Sequence, residues 1–183
     1  MKETGVGKMK TGKTKISRLI EALGDPGIEE RHNAVDGLRQ AGEPAVAPLI
    51  RMLEEATNND ARWYAAVTLG AIGSPAIEPL LSALREHKDT NFRRYAAAAL
   101  GSMGAPAVDP LISALDSDDP RLRGFISQAL CRIGEPAVEP LTRRLGDNNK
   151  VLQTCASLTL WQMGETGLPA MVEKLREEDA KKH

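Results

Sequence analysis

Apolar residues recur along this chain in two alternating helical patterns. Val46, Leu49, Ile50 and Leu53 lie at i, i+3, i+4 and i+7, which is one face of an α-helix. Arg62, Ala65, Ala66, Leu69 and Ile72 follow the same spacing one helix later. Both patterns repeat. The first, helix A, reads GEPAVAPLIRML from Gly42, GSPAIEPLLSAL from Gly73, GAPAVDPLISAL from Gly104 and GEPAVEPLTRRL from Gly134. A degraded copy, GETGLPAMVEKL, begins at Gly164, and the spacings are 31, 31, 30 and 30 residues. The second, helix B, reads RHNAVDGLRQAG, RWYAAVTLGAIG, RRYAAAALGSMG, RGFISQALCRIG and QTCASLTLWQMG.

The residues between the patterns act as punctuation. Gly42, Gly73, Gly104 and Gly134 end helix B, because glycine accepts the left-handed backbone of a C-cap. Pro44, Pro75, Pro106 and Pro136 follow at once, where a helix start tolerates proline. Asn58-Asn59-Asp60, Asp118-Asp119-Pro120 and Asp147-Asn148-Asn149 sit between A and B and are predicted to cap helix B. Their recurrence from unit to unit favours capping over metal binding.

One A–B pair cannot bury its own apolar face, but stacked pairs can. The pattern therefore predicts an all-α, right-handed α-solenoid (an α/α superhelix) of about five helix pairs plus a terminal helix. The repeat domain is expected over 12–178, with a basic arm at 1–11 and a charged tail at 179–183. A finite solenoid needs polar outer faces at its ends. Lys13, Lys15, Ser17, Arg18 and Glu21 supply them at one end, and Glu173, Lys174, Arg176, Glu177 and Glu178 at the other. Trp161 stands where other units have Gly70, Gly101 or Cys131, and is expected to close the C-terminal end of the core.

GKMKTGKT, Gly7 to Thr14, fits the phosphate-loop pattern G-x-x-x-x-G-K-[ST]. A phosphate loop needs a buried strand before it and a long helix after it. MKETGV offers no such strand. In the repeat register Gly12 takes the place of Gly42, Ile16 that of Val46, and Leu19 and Ile20 those of Leu49 and Ile50. GKT is then the polar start of the first helix A, and nucleotide hydrolysis is not expected.

Composition narrows the choices further. Net charge is −1, but residues 1–15 carry five Lys and one Glu, leaving −5 for the remainder. That balance argues against the repeat domain as a polyanion binder. Cys131 and Cys155 form neither a disulfide framework nor a zinc motif. With no signal-peptide core and no apolar run long enough for a membrane span, a cytoplasmic location is expected. His32, His87 and His183 occupy unmatched positions, and none is followed by Glu. No nucleophile–base pair and no metal constellation stands out. Neither an enzyme nor a cofactor is expected, and no metal or catalytic residue is assigned.

The G-x-P-A-V-x-P-L-I-x-x-L and R-x-x-A-A-x-A-L-G stretches resemble HEAT repeats, specifically the short variety of the phycobilisome (PBS) lyase HEAT-like family. The resemblance spans 12–178 and is best at Arg93 to Gly101. It implies fold more strongly than function, since the family includes chromophore lyases, redox-enzyme partners and scaffolds. It also implies that the recurring Arg31, Arg62, Arg93 and Arg123 form a structural ladder to loop acids such as Asp60 or Asp119. A phosphate-binding ladder is the alternative. The unit at Gln153 departs from the pattern.

In such stacks helix B lines the concave surface. At 100° per residue its outward positions are Asp60, Tyr64, Val67 and Ala71 in one unit. The others present Asn33, Asp36 and Gln40; Tyr95, Ala98 and Ser102; Phe125, Gln128 and Arg132; and Cys155, Leu158 and Gln162. The chain has only six aromatic residues, and Trp63, Tyr64, Tyr95 and Phe125 fall at or beside this line. Two readings stay open. The rings fill grooves between helices, or they form an exposed patch with Arg94, Arg132, Gln128 and Asp36. Tyr, Trp and Arg are the residues enriched among the anchors of protein interfaces. The expected function is a non-catalytic protein–protein interaction scaffold or accessory subunit, with self-association open. One alternative, implied by the resemblance, is bilin or tetrapyrrole handling, with Arg94 and Arg132 pairing carboxylates. Another is nucleic-acid binding through the same arginines and the Lys-rich arm.

Overall fold

The computed structural model describes residues 15–180, except for the side chains of 178 and 179. The phosphate-loop match at Gly7 to Thr14 and the basic arm lie outside the described residues. Those residues divide into two compact units, 15–83 and 84–180, and the division falls within one helix. Every α-helix follows the two predicted patterns. α1 covers 15–22, α2 Ile28–Ala41, α3 Glu43–Glu55, α4 Asn59–Ile72 and α5 Ile77–Glu86. α6 covers Thr90–Ser102, α7 Val108–Ala114, α8 Pro120–Ile133, α9 Val138–Arg143, α10 Lys150–Gln162 and α11 Leu168–Ala180. No strand is present among the described residues.

Even-numbered helices are helix B and odd-numbered ones helix A. In the first unit α3 packs on α4, and α4 on α2. In the second unit α6, α8 and α10 form a row of B helices, while α7, α9 and α11 form a row of A helices beside it. The core is the predicted leucine ladder. Leu38, Leu49, Leu53 and Leu69 are buried in the first unit, and Leu100, Leu111, Leu115, Leu130, Leu141 and Leu160 in the second. Each buried leucine contributes about 1.5–3 kcal/mol by leaving water.

Side-chain caps start helix B as expected. Asn58 accepts the Ala61 N–H, Asp89 that of Phe92, Asp119 those of Arg121 and Leu122, and Asn149 those of Val151 and Leu152. The B-to-A corner differs in one respect from the sequence expectation. The corner glycines do have positive φ, between 57° and 76°. However, at Gly42, Gly73, Gly104 and Gly134 ψ lies between −135° and −148°, away from the left-handed helical basin. This mirror-extended conformation suits glycine alone. It turns the chain so that the alanine three residues on donates to the glycine carbonyl, at 2.9 Å for Ala45, Ala76 and Ala137 and 3.0 Å for Ala107. In three corners the result is a single 3-10 turn, at Ser74–Ala76, Ala105–Ala107 and Glu135–Ala137, which leads into helix A.

The arginine ladder exists, with mostly different acceptors. Arg31 Nη1 donates to the carbonyls of Asp25 and Pro26, Arg93 Nε to that of His87, and Arg123 Nη1 to that of Ser117. Gln153 Nε2 takes the same role toward Leu145. The shared job is to tie helix B to the end of the preceding loop. Arg93 alone among these also meets a predicted loop acid, with Nη2 2.8 Å from Asp119 Oδ2. Arg93 is 2% exposed, so this guanidinium is enclosed and committed, which argues against the phosphate-ladder reading there.

Two expectations at the C-terminal end are corrected. Trp161 is 63% exposed and does not close the core. Nor is the last helix polar all round outside. Leu168, Val172 and Leu175 are exposed along one line of α11.

Candidate partner-binding surface

The first unit places Trp63 and Tyr64 together on α4. Their rings meet edge to face, with centroids 4.8 Å apart and planes at 85°. Tyr64 is buried, and the Arg31 guanidinium from α2 lies 5.1 Å from its ring centre. Tyr64 therefore packs between helices and is not a presented side chain. Trp63 is 50% exposed and is the ring offered to solvent. Between α2 and α4 lies a cleft of about 490 Å³, walled by Trp63 and Tyr64 with Asp25, Arg31 and Asp60 around it. Asp36 is exposed on α2 and lies 3.5 Å from Arg39 Nε.

In the second unit Tyr95 on α6 and Phe125 on α8 are both half-buried. The Arg94 guanidinium lies 5.1 Å from the Tyr95 ring centre and donates to Asn91 Oδ1 at 3.1 Å. Arg94, Gln128 and Arg132 are exposed. The Arg132 stem runs across Gly101 of α6, whose added Cβ would lie 2.9 Å from Arg132 Cβ and Cδ. The aromatic stripe thus resolves residue by residue. Packing holds at Tyr64, exposure at Trp63, and Tyr95 and Phe125 are half-covered.

A groove that sequence reasoning left out of the site opens between α8 and α10, with a volume of about 530 Å³. Val151 and Leu158 line it and are exposed, Leu158 at 53%. Arg123 and Lys150 also line it. Gly124 contributes no side chain, and a Cβ there would meet nothing within 4 Å. Below the groove the Thr159 hydroxyl donates to Ser127 Oγ at 2.9 Å, joining the two helices. The signal was partly available, since the outward helical positions included Leu158. It was passed over because attention went to rings rather than to aliphatic residues on the same line.

The thiols are not poised for chemistry. Burial pushes the Cys155 thiol up, with Arg123 beside it pulling the other way, and burial pushes Cys131 up as well. A thiol so shifted holds its proton near neutral pH and is a poor nucleophile. Among the described residues no three His, Cys, Asp or Glu side chains group as a metal site requires. Among them, too, no single helix is long and apolar enough to cross a membrane.

Rows of A and B helices, joined by glycine corners and tied by a recurring arginine, define the α-solenoid class of helical-repeat protein. The family model for HEAT repeats matches residues 16–77, 77–161 and 108–181, and the chain belongs to that family. No curated protein matches the chain. Among solved structures, an engineered protein is 19% identical over 92% of this chain and 88% of its own, with a TM-score of 0.38. The complex of CpcE and CpcF of phycocyanin lyase from Nostoc sp. PCC7120 is 24% identical over 82% of this chain and 65% of that one, with a TM-score of 0.40.

Proposed function

We propose that this HEAT-repeat protein is a non-catalytic scaffold or accessory subunit that binds a protein partner through its helix-B surfaces. The observation that carries this reading is the groove between α8 and α10. It offers exposed Val151 and Leu158, a gap at Gly124, and cationic or amide groups nearby on Arg123, Lys150, Arg132 and Gln128. An apolar floor with a polar rim takes an aliphatic or aromatic anchor from a partner and fixes its orientation by hydrogen bonds. In the first unit Trp63 over Tyr64 supplies a second anchor of the kind enriched in interfaces. The raised thiols and the commitment of Arg93 leave the described helix-B residues with groups for contact rather than for bond making.

Leu158→Ala and Trp63→Ala test this reading. Both side chains are largely exposed, so the helical circular dichroism spectrum should be unchanged. Capture of partners from host lysate should weaken about tenfold for Leu158→Ala, as loss of an interface anchor does. A double variant that still captures every wild-type partner at wild-type strength would sink the proposal.

A further inference from the structure

The repeat shows which neighbour its last turn lacks. In α7 the helix-A positions Val108, Leu111, Ile112 and Leu115 are all buried. The matching positions in α11 are Leu168, Met171, Val172 and Leu175. Of these Leu168, Val172 and Leu175, at i, i+4 and i+7, are 36%, 43% and 44% exposed. Helix B gives a second, separate sign. Its Gly101 position faces Arg132 of the following B helix, and Cys131 Sγ lies 3.9 Å from Gln162 Oε1 of the next. Trp161 holds that position in α10 and is exposed. Both features border the place a following B helix would take. An ordinary B helix does not fit there. At Gly101 the next helix comes so close that even a Cβ would crowd it, and Trp161 puts an indole at that point.

We propose that a second copy of this chain covers this surface, α11 against α11, antiparallel about a two-fold axis near Val172. The patch is self-complementary, as such an axis requires. The apolar line reads the same in both directions, so Leu168 meets Leu175 of the other copy. The rim carries both signs, with Glu165, Glu173 and Arg176 beside the line. Glu177 is already engaged by Lys174 of its own helix at 3.8 Å. Antiparallel pairing carries Arg176 to the start of the other helix, where Glu165 stands, and symmetry makes that contact twice. Trp161 closes over the edge of the pair. One helix face and one indole bury less than the about 800 Å² per partner of a durable complex. The dimer is therefore weak and depends on concentration.

Sedimentation equilibrium of the full chain, from about 1 µM to 1 mM, tests the proposal. The wild type should shift from monomer to dimer mass across that range. Val172→Glu, at an exposed position, should keep the helical spectrum and stay monomeric. Arg176→Glu and Glu165→Arg should each raise the dissociation constant about tenfold, and the two together should restore it. Three results would overturn the proposal: a monomer at every concentration, a dimer indifferent to Val172→Glu, or a charge swap without rescue.

Discussion

Arg93 shows what a single residue contributes and how little of that its place in the repeat reveals. Its recurrence with Arg31, Arg62 and Arg123 was plain in the sequence, as was a loop acid within reach. The main acceptors, the carbonyls of Asp25, His87 and Ser117, were not, because backbone oxygens carry no letter. Nor was Gln153, which breaks the pattern by name and keeps it by bonding Leu145. Tyr64 was misjudged for a related reason. A helical wheel gives direction, but whether a ring is covered depends on the neighbour, here Arg31. Asp119 yields a pH prediction. The Arg93 guanidinium first, and then the Leu122 N–H and Lys88, hold its carboxyl well below the usual carboxylate range. In the unfolded chain that carboxyl titrates near its ordinary value of about 4. Its contribution is therefore complete above about pH 4 and is lost as pH falls through the lower folded value. Asp119→Asn should lower the urea midpoint at pH 7, and its gap from the wild type should narrow below about pH 4. A constant gap across that range would rule the ion pair out as the cause.

At the level of elements the helices were almost wholly legible, because apolar spacing, capping residues and corner glycines all point to the same boundaries. The corner geometry was not. Glycine followed by proline signals a turn, but not which positive-φ basin it uses. At Gly104 φ is 71° and ψ −148°, a region closed to other residues. Gly104→Ala should cost about 1–3 kcal/mol by that strain, and Gly104→Asn should not recover it, although Asn serves in an ordinary left-handed cap. Thermal or urea unfolding of the two variants decides this, and a stable Asn variant would contradict the assigned conformation. The last helix was misread in the same way. Glu173, Lys174 and Arg176 made α11 look like a polar cap, while Leu168, Val172 and Leu175 kept the core register of a helix that is covered elsewhere.

For the whole molecule, the repeat explains why the fold reads so easily and the function so poorly. Each A–B pair restates the same packing rule, so the family is evident from any two units. A binding surface is written in the positions the rule leaves free, and those differ from unit to unit. Trp63, Gly124 and Leu158 are such positions, and only the structure shows that α8 and α10 leave a groove around the latter two. The central claim is that partners are held on the helix-B side. A photoreactive amino acid placed at Gln128, exposed on α8, or at Glu139, exposed on α9, tests it most directly. Irradiation of the intact chain in host lysate should cross-link a protein partner from position 128 and not from position 139. Cross-linking from 139 alone would contradict the account and place the working surface on the A helices.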